Sequence, residues 1–176
     1  MRPQNHPVRR LAAAAALFGR NPRLTTELAG LDTKDPRSWF EQARRLFAGR
    51  ARMPYWDRRL SFSSPAQDRR TALLGPERVS AILSNIAVPF LAATDRPVAG
   101  LLDRLPPEHD NALIRRTAAV LLGRDHNPAL YRHGLRQQGL LQVFHDFCLT
   151  NRTACRDCGL PELLRSRPAA PPGRSP

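Results

Sequence analysis

The chain has 176 residues, with 28 Lys plus Arg against 15 Asp plus Glu, and a formal net charge of +13. The length suits one ordinary domain, and 41% hydrophobic residues support a small core and exclude a disordered chain. Three cysteines exclude a fully paired disulfide framework, and no apolar run reaches the roughly 20 residues of a membrane-spanning helix.

The apolar periodicity is helical nearly throughout. Pro7 can open a helix that runs to about Phe18 and stops at Gly19. Its Arg9-Arg10 pair ahead of an apolar stretch has the outline of an export signal. The stretch Leu11 to Phe18 is short for that role, and Arg20 and Arg23 follow at once, so a helix is the better reading. Leu24 to Ala29 reads as a short second helix. Asp35 caps a third with Pro36 at its first position, and Trp39, Phe40, Ala43, Leu46 and Phe47 recur at helical spacing to Gly49.

Residues 50–75 have no clear period and read as an ordered loop with at most one short strand pair, anchored by Trp56. Residues 76–94 form the most apolar helix, with Val79, Ile82, Leu83, Ile86 and Phe90 on one face and a kink at Pro89. A helix restarts at Asp95 and Pro97 and runs through Leu105, before Pro106-Pro107 breaks it. Another covers about 109–122, with Leu113, Ile114, Ala118, Leu121 and Leu122 inward and Gly123 as its stop. Asn127-Pro128 starts a last long helix to about Cys148. The expected fold is all-α: a single irregular helical domain of six to eight helices over residues 1–165, with a cysteine-containing C-terminal loop. Residues 166–176, rich in proline and arginine, read as a disordered tail.

The basic residues are almost all arginine; Lys34 is the lone lysine. Arginine favours bidentate phosphate contacts, and residues 1–75 hold 15 bases against 6 acids, so an anionic partner should prefer that half. Aromatics at 6% do not support a stacking platform for single strands. There is no Walker loop, no G-x-G-x-x-G, no G-x-S-x-G and no H-E-x-x-H. Glu108, His109 and Asp110 fall together in a loop, but an acid–base role needs a pocket and a partner that the sequence does not show.

Cys148, Cys155 and Cys158 form C-x6-C-x2-C. A C-x2-C pair on one turn suits zinc or an iron–sulfur cluster, and Arg152 and Arg156 nearby favour thiolate. Tetrahedral sites take four ligands; His145, His133, Asp157 or a partner's side chain are the candidates for the fourth. An eroded metal knuckle and plain thiols are the competing readings. The spacing also resembles the iron–sulfur loop of helix-hairpin-helix DNA glycosylases, C-x6-C-x2-C-x5-C, which has cysteine where this chain has Leu164.

Several stretches taken in order resemble the bacterial family catalogued as domain of unknown function 2851. They are RPQNHPVRRLAAAAALF, YWDRRLSF, LGPERVSAILSNIAVPFLAA, LPPEHDNALIRR and RQQGLLQVFHDFCLTNRTACRDC, spanning about residues 2–160. Arg2, Asn5, Arg10, Trp56, Asn85, Pro89, Asn111, Arg115, Gln137, Gln138 and Gly139 match its motifs, as do the three cysteines. The resemblance implies the helical C-terminal region of a longer architecture, whose N-terminal part resembles restriction-endonuclease-like nuclease cores. It carries over no catalytic residue. Asn5, Asn85 and Asn111 fall near helix boundaries or the Pro89 kink, where hydrogen bonding to irregular backbone is the simplest role.

The leading functional expectation is a helical module without its own active site. It binds nucleic acid through Arg2, Asn5, Arg9, Arg10, Arg115, Arg116, Arg136, Gln137 and Gln138. The second is a protein-interaction module that docks a separately encoded nuclease-like partner. The third is a truncated remnant of a metal- or iron–sulfur-bearing nuclease or glycosylase-like enzyme, with Cys148, Cys155 and Cys158 as its ligands. A cytoplasmic location away from membranes is expected.

Overall fold

A computed structural model of the chain describes residues 6–108, 112–149 and 155–166. Among these residues the regular structure is all helical, as the periodicity requires. The chain divides into two compact units, Met1–His109 with His133–Leu135, and Asp110–Arg132 with Arg136–Pro176.

In the first unit, α1 (Pro7–Gly19), α2 (Leu24–Ala29) and α3 (Pro36–Arg50) start where local chemistry starts them. The His6 ring accepts from the Val8 amide at 3.4 Å, and the Asp35 carboxylate accepts from the Arg37 and Ser38 amides at 3.0 and 3.3 Å. Proline follows each cap at the position where a missing N–H costs nothing. Helix α3 packs against α1 and α2 and against α4 (Pro76–Ile82). Trp39 and Ala43 on α3 are fully buried and meet Ala13, Leu17, Leu28, Leu73, Val79, Leu83 and Leu91 in one core. The Trp39 and Phe40 rings meet edge to face at 5.0 Å.

Helix α4 continues without a break through a π-helical segment, Leu83–Ala87, into α5 (Val88–Ala93). The Val88 amide donates five residues back, to the Leu83 carbonyl. A regular turn would set the Pro89 ring against the Asn85 carbonyl, and the wider turn just before it relieves that clash. The irregularity expected at Pro89 therefore takes the form of this segment. The buried face of the element is Val79, Leu83, Ala87, Val88 and Leu91. Ile82, Ile86 and Phe90, expected on the same core face, lie beside it, and Ile86 is 63% exposed.

Residues 51–75 contain neither helix nor strand. Trp56 is buried in the core as expected, and its ring meets Phe62 at 4.9 Å. The helix expected over 95–105 is reduced to α6 (Ala99–Leu102). Asp95 adopts a left-handed backbone (φ 56°), and His133 Nε2 donates to the Asp103 carbonyl at 2.6 Å just past the helix end.

In the second unit, α7 (Ala112–Leu122) stops at Gly123, whose φ of 87° is the conformation that favours glycine. Ile114 and Ala118 are buried as expected, whereas Leu113, Leu121 and Leu122 are exposed. The long helix expected from Pro128 to Cys148 is split. A 3₁₀ turn, Pro128–Tyr131, is capped by Asn127, whose side chain accepts from the Ala129 amide at 2.9 Å. Helix α8 (Gly134–Val143), whose first two residues belong to the first unit and the rest to the second, follows, then a π-helical segment, Phe144–Leu149. Helix α9 (Leu160–Ser166) reaches the first residue of the expected tail; the remainder of that tail lies outside the described residues.

Candidate binding surfaces

The arginine set is the leading candidate from the sequence, and its described members differ in exposure. Arg2 and Asn5 lie outside the described residues, as do Asn111 and the His109 and Asp110 pair beside Glu108. Arg9, expected on a phosphate-facing surface, is instead 1% exposed. Its guanidinium donates to the carbonyls of Trp56 (2.6 Å), Thr71 (3.0 Å) and Ala72 (3.1 Å), and to that of Arg59. Helix α1 thus clamps both ends of the 51–75 loop. Burial pushes the Arg9 pKa down; Asp57 opposes that shift and the charge of Arg78 adds to it. Gln137, also expected at a surface, is 5% exposed and Gln138 is half-buried.

Arg10, Arg115, Arg116 and Arg136 are exposed. Arg10 belongs to the first unit and the other three to the second. Arg136 also donates to the Leu130 carbonyl at 2.9 Å. Asn85 donates to a Glu108 carboxylate oxygen at 3.0 Å, a side-chain partner where bonding to irregular backbone was expected.

The three cysteines do converge. Cys148, Cys155 and Cys158 line one cavity of about 310 Å³ with Arg116, Thr117, Val120, Phe144 and Phe147. Cys148 and Cys155 are exposed, Cys158 is half-buried, and all three are free thiols. Among the described residues no group of three or more His, Cys, Asp or Glu side chains is arranged to hold a metal ion. His145, a candidate fourth ligand, is exposed with Nδ1 3.4 Å from an Asp146 carboxylate oxygen. Cys148, Cys155 and Cys158 thus share a cavity, with no metal-ligand grouping among the described residues.

One further feature has no counterpart among the sequence expectations. A groove of about 500 Å³ crosses the first unit. One wall is a stripe of α1, Arg10, Ala13, Ala14, Leu17 and Phe18, at the i, i+3, i+4, i+7, i+8 spacing of a single helix face. A second stripe runs along α4, the π segment and α5 through Arg78, Ile82, Ile86 and Phe90. Leu24, Thr25 and Leu28 of α2, Phe47 of α3, Leu74 and Ala87 complete the lining. Arg10 and Arg78 are the lining residues that carry charge. Phe18 is 62% exposed and Ile86 63%, so the walls stand open to water.

The signal for this groove is present in the sequence. Each of the two helices carries more apolar positions than its core contact consumes. The surplus on 76–93 forms its own stripe, one residue behind the buried one.

Residues 1–100 match the family model described as protein of unknown function (DUF2851). No curated protein and no solved structure matches the chain. No helix among the described residues is long and apolar enough to cross a membrane.

Proposed function

The chain belongs to the DUF2851 family, and on that premise we propose that it is a protein-docking module whose groove receives an apolar helix face from a partner. The observation that carries this reading is the groove itself. Every lining residue falls between Arg10 and Phe90, inside the matched stretch. Soluble chains keep contiguous apolar surface small, so an open apolar channel with exposed Phe18 and Ile86 calls for a partner that covers it. Two parallel or antiparallel helix stripes with a hydrophobic floor are the form in which amphipathic helices are received. The nuclease-like part of longer relatives, encoded separately, is the partner that the family resemblance suggests.

Backbone amide mapping by NMR tests this. A peptide helix with leucines at i, i+4 and i+7 should shift amides of α1, α2 and residues 78–90. Phe18→Asp with Ile86→Asp should abolish those shifts. Shifts elsewhere, or none, would remove the reading.

A second reading, contact with nucleic acid, is supported by the +13 charge and the exposed Arg10, Arg115, Arg116 and Arg136. It predicts a gel shift of duplex DNA or RNA that fades steeply as salt rises. Substituting Arg115 and Arg116 by Ala should weaken the shift.

A further inference from the structure

Cys155 and Cys158 stand at the two ends of one backbone turn. Cys155 opens the 3₁₀ turn Cys155–Asp157, and the Cys158 amide donates back to the Cys155 carbonyl at 3.4 Å. A backbone bond from residue i+3 to residue i holds the outer Cα atoms of its turn within about 7 Å. At about three residues per turn, side chains three apart also stand on the same side. A disulfide needs Cα atoms about 4.4–6.8 Å apart and Cβ atoms that converge. The main chain of this turn meets both conditions. The two side chains accordingly line one cavity, with Phe144 and Phe147 beside them. Both are free thiols, Cys155 exposed and Cys158 half-buried. They lie in the second unit, outside the docking groove.

We infer that Cys155 and Cys158 are a thiol–disulfide pair, closed by exchange with a small disulfide of the glutathione class and reopened by the matching thiol. Cys155, the more exposed, is the attacking residue. Its thiolate displaces one thiolate from the small disulfide and leaves a mixed disulfide on Cys155 Sγ. The Cys158 thiolate then attacks Cys155 Sγ and displaces the second. The two protein thiols give up two electrons and two protons, and the small disulfide takes them up as two thiols. The order follows exposure: an accessible thiol meets the reagent and a shielded neighbour resolves the intermediate. Cys148 lines the same cavity from a separate element, the π-helical segment Phe144–Leu149, and stays outside the bridge.

The test uses the full chain, reduced and then freed of reductant. It is incubated with oxidised glutathione, quenched with iodoacetamide in denaturant and digested with trypsin for mass spectrometry. The three cysteines fall on three tryptic peptides, 137–152, 153–156 and 157–165, so each linkage has its own product. The expected product joins 153–156 to 157–165 with the loss of two hydrogens, and excess reduced glutathione should undo it. Cys148→Ser should leave that product unchanged. Cys158→Ser should lose it and accumulate glutathione on Cys155. Cys155→Ser should lose it and take up glutathione on Cys158 more slowly. A main product that links 137–152 to either other peptide would overturn the inference. So would glutathione on Cys155 and Cys158 with no link between them, or no reaction at either. Protection of all three thiols from iodoacetamide by one equivalent of zinc would also overturn it, and would assign the cysteines to a metal.

Discussion

The guanidinium of Arg9 donates to the main-chain carbonyl of Trp56 at 2.6 Å, across 47 residues of chain and out of contact with water. With the carbonyls of Arg59, Thr71 and Ala72 it ties α1 to a segment that has no helix or strand of its own. A loop of this length must satisfy its buried carbonyls somewhere, and one arginine satisfies four.

Arg9→Met is accordingly expected to destabilise the fold by on the order of 3 kcal/mol or more, since it strands several buried acceptors at once. Arg9→Lys should restore part of that, because an ammonium has three donors but not the planar fork. Urea unfolding midpoints measure both. A midpoint for Arg9→Met equal to that of the unaltered chain would contradict the clamp.

Two glycines of α8 should respond in opposite directions to alanine. A Cβ at Gly134 would lie 2.5 Å from the Pro106 carbonyl oxygen and 2.6 Å from that of Leu105, so backbone must move. Gly134→Ala should cost about 1–3 kcal/mol. A Cβ at Gly139 would meet no such neighbour within 4 Å, and Gly139→Ala should stabilise by roughly 0.5–1 kcal/mol through helix propensity. Thermal unfolding of the two variants separates them by sign.

Asp146 supplies a pH dependence. The Gln142 side-chain amide donates to both carboxylate oxygens at 2.8 Å, and the His145 ring adds a weaker contact, so its carboxyl titrates below the usual carboxylate range. The contact is in place above the carboxyl's unfolded pKa and is lost as pH falls through the depressed folded value. A carboxyl carbon NMR titration should show the depressed midpoint, and Gln142→Leu should move it back up. An unchanged midpoint in that variant would exclude Gln142 as the main cause.

The thiols should differ in rate. Iodoacetamide added to the folded chain should label Cys148 and Cys155, both exposed, before the half-buried Cys158, as read by peptide mass spectrometry. Cys158 reacting first would contradict the arrangement around that cavity.

Helix starts are legible in the sequence because their signals are local. Pro7, the Asp35-Pro36 pair, Pro76 and the Asn127-Pro128 pair each open an element, and Gly123 closes one. What the sequence conceals depends on groups far away in the chain. Arg9 looks like any other arginine until the carbonyls of residues 56–72 fold over it. At the start of α8, Gly134 lies close against the Leu105 and Pro106 backbone, an approach that no periodicity records. The groove is half legible: the period marks Ile82, Ile86 and Phe90 as an apolar face, but not how much of that face a neighbour covers.

The docking claim is tested most directly by placing a photo-crosslinking benzoyl-phenylalanine at position 86 in the native cells, with a second copy of the experiment at position 55 as control. Irradiation should join position 86 to one apolar-faced helical segment of a protein partner, and Phe18→Asp should suppress that product. Crosslinks at position 86 that go to nucleic acid, or that match those from position 55, would contradict the account.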